Sequence, residues 1–583
     1  MKSLSSILFI LFLAISGISQ DDPLITYYEK SDCKATPSYD ETVAYCKQLD
    51  AASPFIQYTS FGVSPQGRKL PLLIVDSDSR FDPASARRAG KLVILIQAGI
   101  HSGEIDGKDA GLMFFRDMAI NQQFGGVPAN ITFLFIPIFN VDGHERFGPY
   151  NRINQDGPEE MGWRTTAQNL NLNRDFLKAD TPEMQAWLKL FQQWLPDFFV
   201  DIHVTDGADY QYVMTYGLET HGNMDQGLTN WTVDRFIPVM EAKMDEAGYP
   251  AFPYVMFRKW HDPRSGLRSS VGGPRFSQGY TATQNRIGLL VENHSLKDYK
   301  TRVSGTYELF RIIRDLLEIE ASSLLEMNRL ADEYTASPAF RNNLLPVDFK
   351  QGNDSIMVEF RGVEYDVEKS DLTGGDWFRY YPDKPATYLV PYFYQQVPSK
   401  SILLPKAYII PPEWTEVIEK LNFHGIRYTV LQDPQTIRVQ SFRFRDYSWG
   451  KSSYEGRFSL TTSWDTIYEE RLYPKGSVLI GTDQRTARII AHIFEPASSD
   501  SYVAWGFFNA IFEMKEYFET YSMEEYARKM IAEDLILKTE FEIWLENHPE
   551  MKSNQWGQLE WFYRRSPWWD SRKDGYPVGK VIE

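Results

Sequence analysis

Leu92-Val-Ile-Leu-Ile-Gln97-Ala-Gly99-Ile-His101-Ser-Gly-Glu104 is the stretch that decides the fold. Residues 92–97 are a short, nearly continuous apolar run, the pattern of a strand buried on both faces in a parallel-type sheet. Three further runs match it: residues 131–139 (ITFLFIPIF), 198–202 (FFVDI) and 287–291 (IGLLV). Helix signals lie between them. Thr181-Pro182 supplies an N-cap and a first helical residue. Met184, Trp187, Leu188 and Phe191 then recur at i, i+3, i+4 and i+7, the stripe of an amphipathic helix. A long helix from about Gly305 to Tyr334, with Leu309, Ile312, Ile313, Leu316 and Leu317 on its stripe, closes the series. Strands alternating with helices predict one α/β domain, a mostly parallel sheet with helices outside it.

Around that core the chain has 583 residues, enough for two or three domains. After residue 335 the texture changes to Tyr, Pro and charged residues. Residues 439–445 alternate with period two, a small β–α–β signal spans 407–431, and the tail from 503 is helical in pattern. The expected division is residues 1–20 as a signal peptide, 21–335 as the α/β domain and 336–583 as a C-terminal α+β domain. Trp556, Trp561, Phe562, Tyr563, Trp568 and Trp569 form an aromatic cluster near the end. Such rings make either a sugar- or peptide-binding platform or a second core, and core packing is the commoner use.

Charge and export narrow the function classes. With 61 Lys and Arg against 78 Asp and Glu the net charge is −17, which supplies no basic surface for nucleic acid. Lys2, the apolar residues 7–15 and the small residues Ser16, Gly17 and Ser19 make a secretory signal with cleavage near Gln20. That run is too short to span a bilayer, and no later run of ~18 apolar residues follows. The expectation is a secreted or periplasmic protein with no membrane anchor. Cys33 and Cys46 are the two cysteines, and both a disulfide and a pair of free thiols stay open.

Three of the apolar runs lead into metal-ligand residues. His101 and Glu104 follow the first, His203 closes the third and Glu292 closes the fourth. Ligands in open α/β sheets sit outside the carboxyl ends of the strands. One H-x-x-E is weak evidence by itself, whereas four such residues at three strand ends are a constellation. Two His and one Glu suit zinc, one ion per chain, and leave a fourth position open, the pattern of a catalytic site. Arg164, Asn173 and Arg174 lie between Glu104 and His203. Arginine recognises carboxylates through its planar fork of donors, so an anionic substrate is indicated.

These residues, in this order, resemble the zinc carboxypeptidase family of the carboxypeptidase A type over residues 40–310. The resemblance is carried by Tyr39-Asp-Glu41, Gly62-Val-Ser-Pro-Gln-Gly67-Arg68-Lys-Leu70, His101-Ser-Gly-Glu104, Asn140-Val-Asp142-Gly143, Trp163-Arg164, Asn173-Arg174, Asp201-Ile-His203 and Val291-Glu292. It implies a mixed, mostly parallel sheet flanked by helices, and hydrolysis of the C-terminal bond of peptides that carry a free carboxylate. It further implies that His101, Glu104 and His203 hold zinc and that Glu292 is the general base. Arg164 would serve the oxyanion, while Asn173 and Arg174 would grip the terminal carboxylate.

Two positions depart from the family pattern. Asn171 stands where an Asp is common, two residues before the Asn-Arg pair. The substrate-closing Tyr is absent from the stretch around Gly272-Gly273, which leaves Tyr280 as the substitute; the specificity pocket is sought near Arg275 and Ser277. About 20 residues separate signal and domain, too few for a folded inhibitory segment. The alternatives are a zinc deacylase or amidohydrolase of the same clan and an inactive zinc-containing binding module. Retention of Glu292 weighs against the module, and Trp163-Arg164 with the Gly62–Leu70 segment weighs against the deacylase.

Overall fold

The computed structural model describes residues 24–582, so the expected export signal at 1–20 lies outside the described residues. It joins the apolar runs in one eight-stranded sheet. The strands of this first region are β1 (Ile56–Val63), β2 (Lys69–Asp76), β3 (Leu92–Ala98), β4 (Ile131–Ile136), β5 (Phe198–Thr205), β6 (Met214–Gly217), β7 (Ala251–Pro253), β8 (Met256–Lys259), β9 (Asp262–Arg268) and β10 (Ile287–His294). Their order in the large sheet is β1-β2-β4-β3-β5-β10-β6-β7. The centre, β4-β3-β5-β10, is parallel, and antiparallel pairs flank it at β1-β2, β2-β4 and β10-β6. The fold is therefore the expected mixed α/β sheet.

Every residue of β3 and β4 is buried, as unbroken apolar runs require. Helix Asp106–Ala119 packs Leu112, Phe115 and Met118 into the same core as Ile94, Ile96 and Phe133. Helix Pro182–Trp194 starts as its sequence dictates, with the Thr181 hydroxyl accepting from the Met184 amide. The long helix runs from Tyr299 to Thr335, six residues longer at its start than the apolar stripe indicates. Strands β5 and β10 also continue past their apolar runs, to Thr205 and His294. His203 and Glu292 are thus inside the strands and directly opposite each other in the parallel register.

Two compact units make up the chain: residues up to 333 with 349–399, and 334–348 with 400–583. The break expected after residue 335 therefore misassigns 349–399. The reason is a hairpin, strands Ile356–Lys369 and Asp376–Phe393, whose second strand pairs with β9 and completes a four-stranded sheet with β8. Phe360 and Val390 of the hairpin share a buried cluster with Tyr210, Tyr212, Phe257 and Leu267.

The second unit holds an antiparallel six-stranded sheet. Ala407–Ile410 and Thr429–Val430 both pair with Val478–Gly481, and helix Thr415–Phe423 connects the first two. The aromatic tail is largely a second core: Trp561, Phe562 and Tyr563 are buried with Phe541, Trp544 and Trp569 packed on them, while Trp556 and Trp568 stay exposed. Cys33 and Cys46 are free thiols. Among the described residues no helix is long and apolar enough to cross a membrane.

Candidate active site

Beyond the end of β3 the chain turns through Gly99 and delivers His101 and Glu104 to the edge of the sheet, beside His203 of β5. The three side chains converge. Glu104 Oε2 lies 3.0 Å from His101 Nδ1 and 3.1 Å from His203 Nδ1, and the two nitrogens are 3.2 Å apart. All three residues are buried.

The outer nitrogens decide what the inner ones present. His101 Nε2 is 3.0 Å from Asn171 Oδ1, which also accepts the Asn173 amide at 2.9 Å and is thereby fixed as the oxygen. His203 Nε2 is 2.8 Å from Asp201 Oδ2, and Gln97 Nε2 holds the other Asp201 oxygen at 2.9 Å. Both rings donate outward, so both Nδ1 atoms turn lone pairs toward a carboxylate oxygen. With both rings neutral, three electron-rich atoms meet at one point, an arrangement that a cation between them would satisfy. Their separations suit zinc, because tetrahedral bonds of ~2.0–2.1 Å place ligand atoms about 3.3 Å apart. The residues present fit the metal.

Electrostatics follow the same division. Burial pushes the His101 imidazole down to about 4. Burial also opposes charge on His203, yet Asp201 and Glu104 hold it well above the ordinary histidine value. Burial disfavours the Glu104 charge, but His101 and Arg152 outweigh that and keep its carboxyl well below the usual range.

The triad forms one wall of a cleft of about 570 Å³. Arg164, Asn173, Arg174 and Glu292 line the same cleft, so every expected site residue except Tyr280 is gathered there. Glu292 is half-buried; burial pushes its carboxyl up to about 7, against the pull of His203 and Arg164. Arg164 Nη1 sits 3.1 Å from Glu104 Oε1. Arg174 stacks over the Phe276 ring at 4.5 Å and donates to the Asn173 carbonyl at 2.6 Å, which orients its fork.

Tyr280 is a correction. It is wholly buried, packed against Phe176 and Trp187, with its hydroxyl accepting from Gln284. Helix Ser277–Thr283 points that face into the core. The tyrosine of the cleft is Tyr254, between β7 and β8, whose hydroxyl bonds Thr205 and feels the Glu292 charge. A second residue missed in the sequence is Arg152. Its Nη1 lies 2.8 Å from Glu104 Oε1, closer than Arg164. Gly103 makes the room: a Cβ there would fall 2.4 Å from Arg152 Cδ.

The remaining motifs are scaffolding for the cleft. Asp142 accepts from Ser64 Oγ, the Gln66 amide and Arg68 Nη1, tying the β1–β2 turn to helix Val141–His144. Asn140 holds the Arg164 carbonyl through Nδ2, and Ser102 Oγ donates to the Asn140 carbonyl at 2.6 Å.

A buried His-Glu-His triad opens into a cleft with a carboxylate and three arginines, on a mixed α/β sheet, an arrangement suited to a metal-dependent hydrolase. The zinc carboxypeptidase family model (peptidase M14) matches residues 42–226, and the chain carries that family's domain. It is 22% identical over 497 residues to carboxypeptidase 2 of Trichophyton rubrum, covering 82% of this chain and 85% of the relative. With carboxypeptidase 2 of Trichophyton tonsurans it shares 23% over 521 residues, 85% and 89% of the two chains. The solved carboxypeptidase A of Helicoverpa armigera aligns with 50% of this chain and 74% of its own, at 17% identity and a TM-score of 0.37.

Proposed function

We propose that this zinc carboxypeptidase is an exported exopeptidase that removes the C-terminal residue of peptides bearing a free carboxylate. The observation that carries the reading is the gathering of the triad, Glu292, Arg164 and the Asn173–Arg174 pair in one cleft. His101 Nδ1, Glu104 Oε2 and His203 Nδ1 would hold one zinc. Bound there, the ion supplies a Lewis acid and a water of lowered pKa.

The chain's own groups do the rest. Arg174, with Asn173, pairs with the terminal carboxylate and sets the scissile bond over the triad. Glu292 accepts a proton from the attacking water and passes it to the leaving amine. Its raised pKa suits a group that must hold and then release a proton near neutral pH. Arg164 turns its guanidinium to the developing oxyanion. Glu104 Oε1 is not abandoned by that movement, because Arg152 already holds it. Tyr254 flanks the bound peptide.

The test compares matched free-acid and C-terminally amidated peptides, with and without chelator. The wild type should cleave the free acid and reject the amide, and chelation should stop turnover. Arg174→Ala should lower kcat/KM for free acids by roughly 30- to 1,000-fold, since the buried substrate charge loses its fork. Equal wild-type rates on the two peptides would refute the exopeptidase reading. Export predicts a mature N-terminus near residue 21, which N-terminal sequencing reads directly.

A further inference from the structure

The cleft borders the four-stranded sheet of β8, β9 and the hairpin. Met256, the first residue of β8, lines the cleft, and so does Ser270, two residues past the end of β9. Alternation along these strands sorts their side chains onto two faces. Phe257 and Leu267, opposite each other in the register, enter the buried cluster with Phe360 and Val390. Met256 and Arg268, the next opposed pair, therefore share the other face, the one that meets the cleft. Arg258, two residues on from Met256, belongs to that face as well.

Both arginines are exposed, and they are grouped around one ring. Arg258 lays its guanidinium over Phe393 at 4.6 Å, and Phe393 is the register partner of Arg268. Gly266 leaves the path open, since a Cβ there would lie 3.3 Å from Arg258 Cδ and 2.9 Å from Pro391 Cγ, and its φ is +96°. Other arginines of this sheet have acids beside them: Arg264 has Asp262, Arg361 has Asp245 and Arg379 has Glu368. Among the described residues no carboxylate pairs with Arg258 or Arg268. That is unusual in a chain of net charge −17, where acids outnumber bases. Two like charges on one face repel, and an anion between them relieves the repulsion. Asp206, the exposed acid of the cleft wall, does not serve, because it follows the end of β5 and accepts from Asn154 Nδ2 at 2.8 Å.

We propose that this sheet face is the outer part of the substrate cleft, and that Arg258 and Arg268 there bind acidic side chains upstream of the scissile bond, making acidic peptides the preferred substrates. The inference rests on the exopeptidase reading above and names a substrate class for it. With the terminal carboxylate on Arg174 and the scissile carbonyl at the triad, the rest of the peptide leaves along the open side of the cleft. Tyr254 and Met256 are on that wall. An extended chain advances ~3.3 Å per residue, so the first few upstream residues pass over the face that carries the two arginines. A Glu or Asp side chain there meets planar forks of donors, one of them already held flat on an aromatic ring. An upstream Lys would face like charges. On an acidic molecule, a cationic rim at the cleft also steers anionic peptides toward the triad.

The experiment measures kcat/KM, with zinc-loaded full-length protein, for free-acid peptides that share a C-terminal residue and carry Glu, Gln or Lys at the upstream positions. The wild type should favour Glu over Gln by roughly 3- to 30-fold at low ionic strength and should be slowest on Lys. The Glu/Gln ratio should shrink as salt is added, because exposed charges are screened. Replacing both arginines by Gln should bring the ratio to about one, and replacing both by Lys should keep part of it. Arg258→Glu combined with Arg268→Glu should turn the preference toward Lys. Zinc content is measured in every variant to show that the site is intact. A wild type that treats Glu and Gln alike, or a preference that salt leaves unchanged, overturns the proposal and leaves the exopeptidase reading standing. Variants with the wild-type ratio, or variants slowed equally on all three peptides, overturn the selective role of the two arginines. Failure of the wild type on every free-acid peptide removes the reading beneath.

Discussion

In the proposed mechanism Glu292 and Asp201 both act on a proton, but on different ones. Glu292 would handle the proton of the attacking water. Glu292→Gln keeps shape and hydrogen bonding but cannot accept that proton, so turnover should fall by about 10²–10⁴-fold with zinc content unchanged. A variant retaining more than roughly a tenth of wild-type turnover would exclude Glu292 as the base, given the same expected range. Asp201 instead fixes a proton on His203 Nε2 and so turns Nδ1 toward Glu104. Its counterpart on His101 is the neutral Asn171. The pair of histidines is thus backed by one carboxylate and one amide, and the carboxylate makes His203 the more basic ligand. Asp201→Asn should weaken zinc binding by ~10–100-fold, read by chelator competition, while Asn171→Asp should strengthen it. Unchanged affinity in both variants would detach these partners from the metal site.

At the scale of elements, Asp142 explains a motif that has no chemistry of its own. Helix Val141–His144 is a single turn, yet its buried carboxylate gathers three donors from the β1–β2 turn. Removing it strands Ser64, the Gln66 amide and Arg68 together. Asp142→Ala should cost about 2–4 kcal/mol, as for breaking a buried, charge-assisted network. Thermal unfolding should show a lower midpoint, and protease should cut within 64–68 faster than in the wild type; an unchanged midpoint would make the contacts incidental. The existence of strands β3, β4, β5 and β10 was legible because unbroken apolar runs have few other uses. Their ends were not, since His203 and Glu292 are polar residues kept in register by ladder bonds rather than by apolar burial. The hairpin of 356–393 was illegible for a related reason. Its strands are half-exposed and carry alternating charged and aromatic residues, so no single face announces a core. Tyr280 and Tyr254 show the limit for a site: spacing placed a tyrosine near the cleft, but only the direction of a helix face tells which one reaches it.

Across the whole molecule, the candidate metal triad was readable because each member follows or lies within a strand of one sheet, and the first unit's fold holds those ends together. Arg152 was not, since a lone Arg in a loop has no periodic or motif signal. Burial of an acid also couples the fold to pH. Glu183, in the first turn of helix Pro182–Trp194, is wholly buried. Burial pushes its carboxyl from 4.5 up to about 7, its own amide opposing and the charges of Asp142 and Asp175 adding to the rise. Below the unfolded value both states are protonated and the contribution to stability is full. As pH rises toward 7 the unfolded chain has released its proton while the folded protein still holds one, so stability falls; above about 7 it levels off at the lower value. The loss is on the order of 3 kcal/mol at most, from ~1.4 kcal/mol per pKa unit. Glu183→Gln has no proton to release. Compared with the wild type at saturating zinc, its denaturation midpoint should be no higher at pH 5 and clearly higher at pH 8, and metal linkage cancels in that comparison. The same difference between the two proteins at both pH values would mean that Glu183 is ionised in the fold, its buried charge already met by the helix N-terminus.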